Sequence, residues 1–209
     1  MGTMNSDWRN GFLFVGNQLA LDFVNTRPVI DGQPAEMLPD GGSLARWLEA
    51  AGLINQRESA RLRRRWSSPE FTAALEEVRR LRENWRRVVF QIEAGEAVPA
   101  TFIKDLNRML LAHPAVDQVV STDSVLERRH RFVPEVPEDV FAPLADAMAD
   151  LLTNADRVGI RKCPNCVLHF YDTSKKGTRR WCSMNMCGNR SKVAAYAERQ
   201  RAVPIRKAH

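Results

Sequence analysis

The segment Trp181-Cys-Ser-Met-Asn-Met-Cys-Gly-Asn-Arg190 places two of the chain's four cysteines five positions apart, with Gly188, Asn189 and Arg190 directly after the second. The other two stand upstream as Cys163-Pro-Asn-Cys166, and 15 residues separate Cys166 from Cys182. Zinc takes four soft ligands in a tetrahedron, and a two-residue gap lets backbone amides turn toward both sulfurs in a tight knuckle. The expected metal ligands are Cys163, Cys166, Cys182 and Cys187, holding one Zn2+. Four sulfur ligands leave no open position for water, so the ion is structural.

Working outward, the spacer reads as a hairpin: "LHFYDTS" as one strand, "KKG" as the reversal and "TRRWCS" as the return. Beyond Cys187, "GNRSKVAAYAERQR" carries helix formers and no proline until Pro204, which puts Cys187 at a helix start facing free amides and the positive end of the dipole. Asn189 is read as serving that helix start. Knuckle, hairpin and ligand-bearing helix make a treble-clef arrangement. Two disulfides are an alternative, but the chain reads as cytosolic, where thiols stay reduced. A redox Cys-x-x-Cys is another, and the second cysteine pair argues against it. His169 lies between the pairs and is read as a strand residue, since four cysteines complete the ligand set. The large apolar residues Val167, Leu168, Phe170, Tyr171, Trp181 and Tyr196 are too few to hold a module of about 45 residues, so metal binding and folding are one event.

Charge is segregated along the chain. From Arg157 to the end there are 13 Lys and Arg against Asp172 and Glu198, a balance of +11, and the preceding 156 residues carry −5. A basic tail module that meets a polyanion, on a body that does not, is the reading. Lys175, Lys176, Arg179 and Arg180 cluster around the expected hairpin turn, and Arg190, Lys192 and Arg199 fall on the expected helix. These are the candidate nucleic-acid contacts, acting through phosphates. Arg190 also has an alternative role, bracing the knuckle carbonyls.

The body reads as mostly helical. "FLFVGNQLALDFVNT" (12–26) alternates apolar and polar residues around Gly16-Asn17 and is expected to form two short strands; an irregular loop rich in proline and glycine follows. Ser43 is expected to cap a helix ended by Gly52, and a second helix spans Gln56 to Trp66. In Pro69–Ala94 the residues Phe71, Leu75, Val78, Leu81, Trp85, Val88 and Ile92 form one stripe, with Glu76–Arg80 and Glu83–Arg87 pairs on the exposed side. A helix over Pro99–Ala112, strands turning at Asp123-Ser124, and a helix through "PEDVFAPLADAMADLLTNA" complete the pattern. The expected fold is mainly α with short β-hairpins (α+β) for residues 1–156, and a small treble-clef-like zinc finger with a basic tail for 157–209. No run is long enough to span a membrane and "MGTMNSDWRN" lacks a secretory pattern, so a cytoplasmic protein is expected.

"CPNCVLHFYDTSKKGTRRWCSMNMCGNRSKVAAYAERQR" resembles the CGNR-type zinc finger, named for the motif Cys187-Gly188-Asn189-Arg190. Upstream, "GNQLALDFVNT" resembles the opening motif of the ABATE domain, which precedes that finger in bacterial proteins described as stress-induced transcription regulators. The resemblance implies a zinc-bearing, DNA-binding tail on a mostly helical body. No nucleophile constellation, phosphate loop or carboxylate pair stands in the body, and the chain is read as non-enzymatic. The leading function is a DNA-binding transcription regulator whose body senses a small molecule or forms a homodimer. The runner-up is a module docking RNA or an acidic protein, and a third reading is an enzyme with a site near Asp22 and Asn25. Asp22, Asn25 and Thr26 are the candidate ligand-binding residues, with strand-end hydrogen bonding as their plainer role.

Overall fold

The computed structural model describes residues 7–30, 32–114, 116–122 and 125–202. The body opens on a hairpin of β1 (Trp8–Arg9) and β2 (Phe12–Leu13), closed by Asn10 and Gly11, both at positive φ. Two such residues in a two-residue loop match the right-handed twist of the flanking strands. The turn therefore falls earlier than Gly16-Asn17.

Next comes α1 (Leu19–Val24), a correction to the expected strand. Ala20, Leu21, Asp22, Phe23 and Val24 are all buried, so the helix has no solvent side. A short helix buried all round leaves no 3.6-residue period, and a chance alternation over six residues imitates a strand. The proline-rich segment after it makes one small hairpin, β3 (Val29–Ile30) with β4 (Gln33–Pro34).

Five longer helices follow. In α2 (Gly41–Ala50) the cap is Asp40, not Ser43: its carboxylate accepts from Ser43 N at 2.6 Å and from Ser43 Oγ at 2.8 Å. The helix starts earlier because Gly41 lies against Trp66, where a Cβ would come within 2.3 Å of a carbonyl oxygen. Next, α3 (Gln56–Trp66) begins with a reciprocal Asn55–Glu58 capping box. The long α4 (Thr72–Glu93) buries Leu75, Val78, Leu81, Trp85, Val88 and Ile92, while Phe71 sits in the 3-10 turn before it. Its ion pairs differ from the expected i,i+4 set: Glu76 meets Arg79, Glu77 meets Arg80, and Glu83 gathers Arg27, Arg82 and Arg86. Neighbours three apart serve the arginines equally well, and Arg82 is drawn inward to Glu36.

Then α5 (Ala100–Ala112) leads into a ribbon of β5 (Val116–Thr122) and β6 (Val125–Arg131), and α6 (Phe141–Thr153) closes the body. Asp123 and Ser124, the expected turn, lie outside the described residues. α1 packs on α4, α6 and Trp47 of α2. Trp47, Trp66 and Trp85 form the centre of the core, and the Trp85 indole N–H donates to the Ala20 carbonyl of α1 at 3.0 Å.

The C-terminal part differs from expectation in one connection. β7 (Ile160–Lys162) pairs antiparallel with β8 (His169–Tyr171), so the hairpin wraps the first cysteine pair instead of joining the two pairs. "TRRWCS" forms no strand. Asp172 accounts for this, because its carboxylate accepts from the backbone of Ser174 at 2.9 Å and Arg179 at 2.8 Å and coils the segment into a loop. The chain then enters a π-helical turn (Met184–Gly188) and α7 (Asn189–Ala202). The architecture is α+β, a helical body with short antiparallel hairpins and a C-terminal zinc finger.

Gly16 stands at the contact between these parts. Its amide donates to Asp22 Oδ1 at 2.7 Å, its carbonyl accepts from Tyr171 N at 2.8 Å, and a Cβ there would meet Asp22 N at 2.8 Å. Gly16→Ala is expected to cost about 1–3 kcal/mol as an overpacked buried site, read as a lowered midpoint in denaturant at unchanged slope.

Candidate metal centre and basic surface

The four cysteine sulfurs lie within 4.8 Å of one another. Cys163, Cys182 and Cys187 are buried and Cys166 is half-buried. For a tetrahedron with Zn–S of about 2.3 Å, sulfurs stand about 3.8 Å apart. The Cys182–Cys187 separation is 3.7 Å and Cys166–Cys182 is 3.3 Å, so the donor set fits one zinc.

The protonation pattern points the same way. The Cys166 and Cys182 thiols hydrogen-bond to Cys163 and hold it far below the ordinary thiol range. By the same sharing Cys166 is pushed up to about 12, and Cys182 rises too, its bond to Cys163 contributing most. Four thiolates at this spacing need a bound cation to ionise together, which a zinc ion supplies.

Local structure explains how the sulfurs converge. In the knuckle, Val167 N donates to Cys163 O at 2.9 Å and Cys163 N to Leu168 O at 2.8 Å. Closing this turn holds Val167 at φ +55°, which is unusual and strained for a β-branched residue. At the second pair, the helix cap is Ser183, not Asn189: Ser183 Oγ accepts from Asn185 N at 3.1 Å and Met186 N at 3.3 Å. Cys187 thus stands in the first helical turn, and Asn189 is already helical.

Two side chains missed in the sequence brace the centre. Asn165 Nδ2 donates to Cys187 O at 2.9 Å, tying knuckle to helix. Arg179 donates through Nε to Trp181 O at 2.9 Å and through Nη2 to Cys182 O, and stacks over Phe170 at 4.8 Å. Arg179, read from the sequence as a phosphate contact, thus also holds the carbonyls at the second cysteine pair. "SMNM" before a helix carried a capping signal at Ser183, whereas nothing local marked Asn165 or Arg179.

The core around the sulfurs is Leu168, Phe170, Trp181 and Met186, joined by Leu13 and Val15 from the far end of the chain. Tyr196 and Val167, expected in that core, are exposed. The N-terminal residues replace them.

Of Asp22, Asn25 and Thr26, Asn25 reaches across to the finger, while Asp22 and Thr26 hydrogen-bond within the body. The Asn25 side chain donates to His169 O at 2.8 Å and accepts from His169 N at 3.0 Å, mimicking a strand neighbour for β8. Asn17 Nδ2 donates to Tyr171 O at 2.9 Å. Thr26 Oγ1 donates to Phe23 O at 2.7 Å and accepts from Arg82 at 3.0 Å. His169 is buried and faces Glu93 at 3.3 Å, away from the sulfur cluster's ligand set; burial lowers its pKa against the pull of Glu93. Beside this seam a groove of about 310 Å³ opens between Arg27, Arg86, Phe90, Lys162, Val167 and Leu168.

Of the basic residues, Lys175, Lys176, Arg180, Arg190, Lys192 and Arg199 are exposed, with Arg180 lying over the Trp181 ring at 5.3 Å. On α7, Asn189, Lys192, Tyr196 and Arg199 follow one another at spacings of three and four and share one exposed side. The side chain of Arg201 and the tail beyond residue 202 lie outside the described residues. No helix among the described residues is long and apolar enough to cross a membrane.

A structural zinc finger built on a helical body defines the class. The family model described as "Putative stress-induced transcription regulator" (ABATE) matches residues 17–155, and the CGNR zinc finger model matches residues 159–200. The chain belongs to the ABATE family, with a CGNR zinc finger after that domain, and its cofactor is one structural zinc. Among curated proteins none matches the chain.

Two outcomes follow from the seam. Burial pushes the Asp22 carboxyl up to about 7 from an ordinary 3.8, against the lowering hydrogen bond from Gly16. The folded state then holds a proton that the unfolded chain releases, so this carboxyl makes stability fall as pH rises from about 4 to 7. Asp22→Asn keeps an acceptor for Gly16 N, and it is expected to flatten that decline and raise the melting temperature at pH 8, measured by thermal melts across pH. Asn25→Ala removes both bonds to His169, and is expected to speed amide hydrogen exchange in β8 at least tenfold while zinc stays bound.

Proposed function

We propose that the protein is a DNA-binding transcription regulator in which the finger (157–209) meets duplex DNA and the body (1–156) controls how the finger is held. One observation carries this reading: α7 leaves the metal centre as an exposed helix with no apolar face, displaying Lys192, Tyr196 and Arg199 along one side. Tyr196 is 59% exposed and Val193 68%. A helix whose apolar residues form no stripe gains little from packing on its own chain. A major groove admits such a helix, with cations at its phosphate walls and Tyr196 toward the bases.

Lys175, Lys176, Arg180 and Arg190 are assigned to flanking phosphates. Arg179 contributes indirectly, because two of its donor atoms already hold the carbonyls of Trp181 and Cys182. The bound zinc with four thiolates contributes about −2, leaving the module near +9, still ample for counterion release.

The body's regulatory role is assigned to the groove at the seam. Its cations Arg27, Arg86 and Lys162 outnumber Glu83, and its walls are Phe90, Val167 and Leu168. A small effector with a carboxylate and an apolar part fits that lining. Val167 and Leu168 belong to the zinc knuckle itself, so an occupant there presses directly on the finger. Asp22, Asn25 and Thr26 are assigned to the clasp that positions β8.

Fluorescence anisotropy with zinc-loaded protein and a duplex tests the reading. Log affinity is expected to fall against log salt with a slope of about −3 to −5, as three to six exposed cations each neutralise a phosphate. Replacing Lys175 and Lys176 together with alanine should reduce the slope by about 2. A salt-independent affinity, or tighter binding of single-stranded RNA than of duplex, would contradict it.

A further inference from the structure

The β5–β6 ribbon stands apart from the rest of the molecule. Its seven cross-strand pairs run from Val116↔Arg131 to Thr122↔Val125, and among the described residues the two strands contact chiefly each other. In β5, Val116, Asp117, Gln118, Val119 and Ser121 are all exposed, so both faces of the strand look into solvent. Val119 is 71% exposed and Leu126 74%. A lone two-stranded ribbon is marginal in water, and a long open edge with β-branched side chains is a template for another strand.

The two edges are not alike. β6 carries the exposed Arg128 and Arg131, the kind of charged edge that blocks pairing. β5 reads Val-Asp-Gln-Val-Val-Ser-Thr, with Asp117 its one charge and no lysine, arginine or proline. Asp117 is itself engaged by Arg128 within the ribbon. Residues 116–131 hold Asp117, Asp123 and Glu127 against three arginines, a balanced set, in contrast to the +11 of the C-terminal 53 residues. Charge therefore argues against a polyanion as the occupant and for a surface complementary to itself.

We propose that the chain forms a two-fold dimer by antiparallel pairing of β5 with β5 of a second copy, making one four-stranded sheet with the arginine-bearing strands outside. Centring the two-fold axis on Val119 sets Val119 against its own copy, Asp117 against Ser121, Gln118 against Val120 and Val116 against Thr122. No like charges meet in this register, and the exposed Val119 side chains cover each other. Each sheet edge left open is then a β6 edge. The dimer stands independently of the DNA reading; if both hold, it presents two fingers to one duplex.

Sedimentation velocity of the full zinc-loaded chain over a concentration series tests the pairing. The wild type is expected to reach twice the 23.7 kDa chain mass. Val119→Lys and Val119→Glu each set like charges on the axis and are expected to raise the dimer dissociation constant about tenfold, while an equimolar mixture of the two recovers it. Val119→Thr keeps the dimer. A wild type that stays at 23.7 kDa, or a Val119→Lys variant dimerising as well as wild type, overturns the proposal. Should the wild type be monomeric and bind DNA more tightly with Val119→Lys and more weakly with Val119→Glu, the ribbon is a nucleic-acid contact instead. Circular dichroism of each variant confirms that the fold is kept.

Discussion

Four thiols crowded into a space where no two sulfurs are more than 4.8 Å apart constrain everything downstream of Ile160. Left to themselves such groups share protons, with Cys163 favoured as the thiolate at the expense of Cys166 and Cys182. A divalent cation replaces that sharing with four metal–sulfur bonds, and it does so between two short segments far apart in the spacer. The knuckle supplies one pair through a strained turn at Val167, and the capped helical turn after Ser183 supplies the other. The spacer is an Asp172-organised loop and not a hairpin, so beside the ion the two halves are joined by the Asn165 bond to Cys187 O, the Arg161 bond to Gly177 O, Arg179 over the Phe170 ring and a small shared apolar core. The direction in which α7 projects is set by that junction.

The finger is also less independent than its size suggests. Leu13 and Val15 complete its apolar core, and Gly16, Asn17 and Asn25 hydrogen-bond along β8. Body and finger thus share a seam in which a backbone strand is satisfied partly by side chains of the other part. The segment 13–17 and α1 are thereby bonded to β8, which follows directly on the knuckle.

Legibility followed the range of the interactions. The zinc ligands were readable because the constraint is local chemistry at fixed spacing, and α3 and α4 because an amphipathic helix writes its period into the sequence. What failed depended on distant partners. α1 was hidden because burial on every side erased its period, and the cap at Asp40 because Gly41 is fixed by Trp66 across the core. β8 was expected to pair forward with the segment before Cys182, but Asp172 captured that segment's amides and β7 took its place. Tyr196 read as finger core, but Leu13 and Val15, from the opposite end of the chain, fill that space. Asn25 stood out for its polarity, but nothing local showed that its amide would pair with His169, 144 residues downstream.

Metal identity and coordination test the account most directly. Elemental analysis and zinc X-ray absorption on reduced protein, purified without added metal, are expected to give one zinc per chain with four sulfur neighbours at about 2.3 Å. A substoichiometric metal content in folded protein, or a shell containing nitrogen or oxygen ligands, would contradict the central claim that four cysteines around one ion set the position of α7.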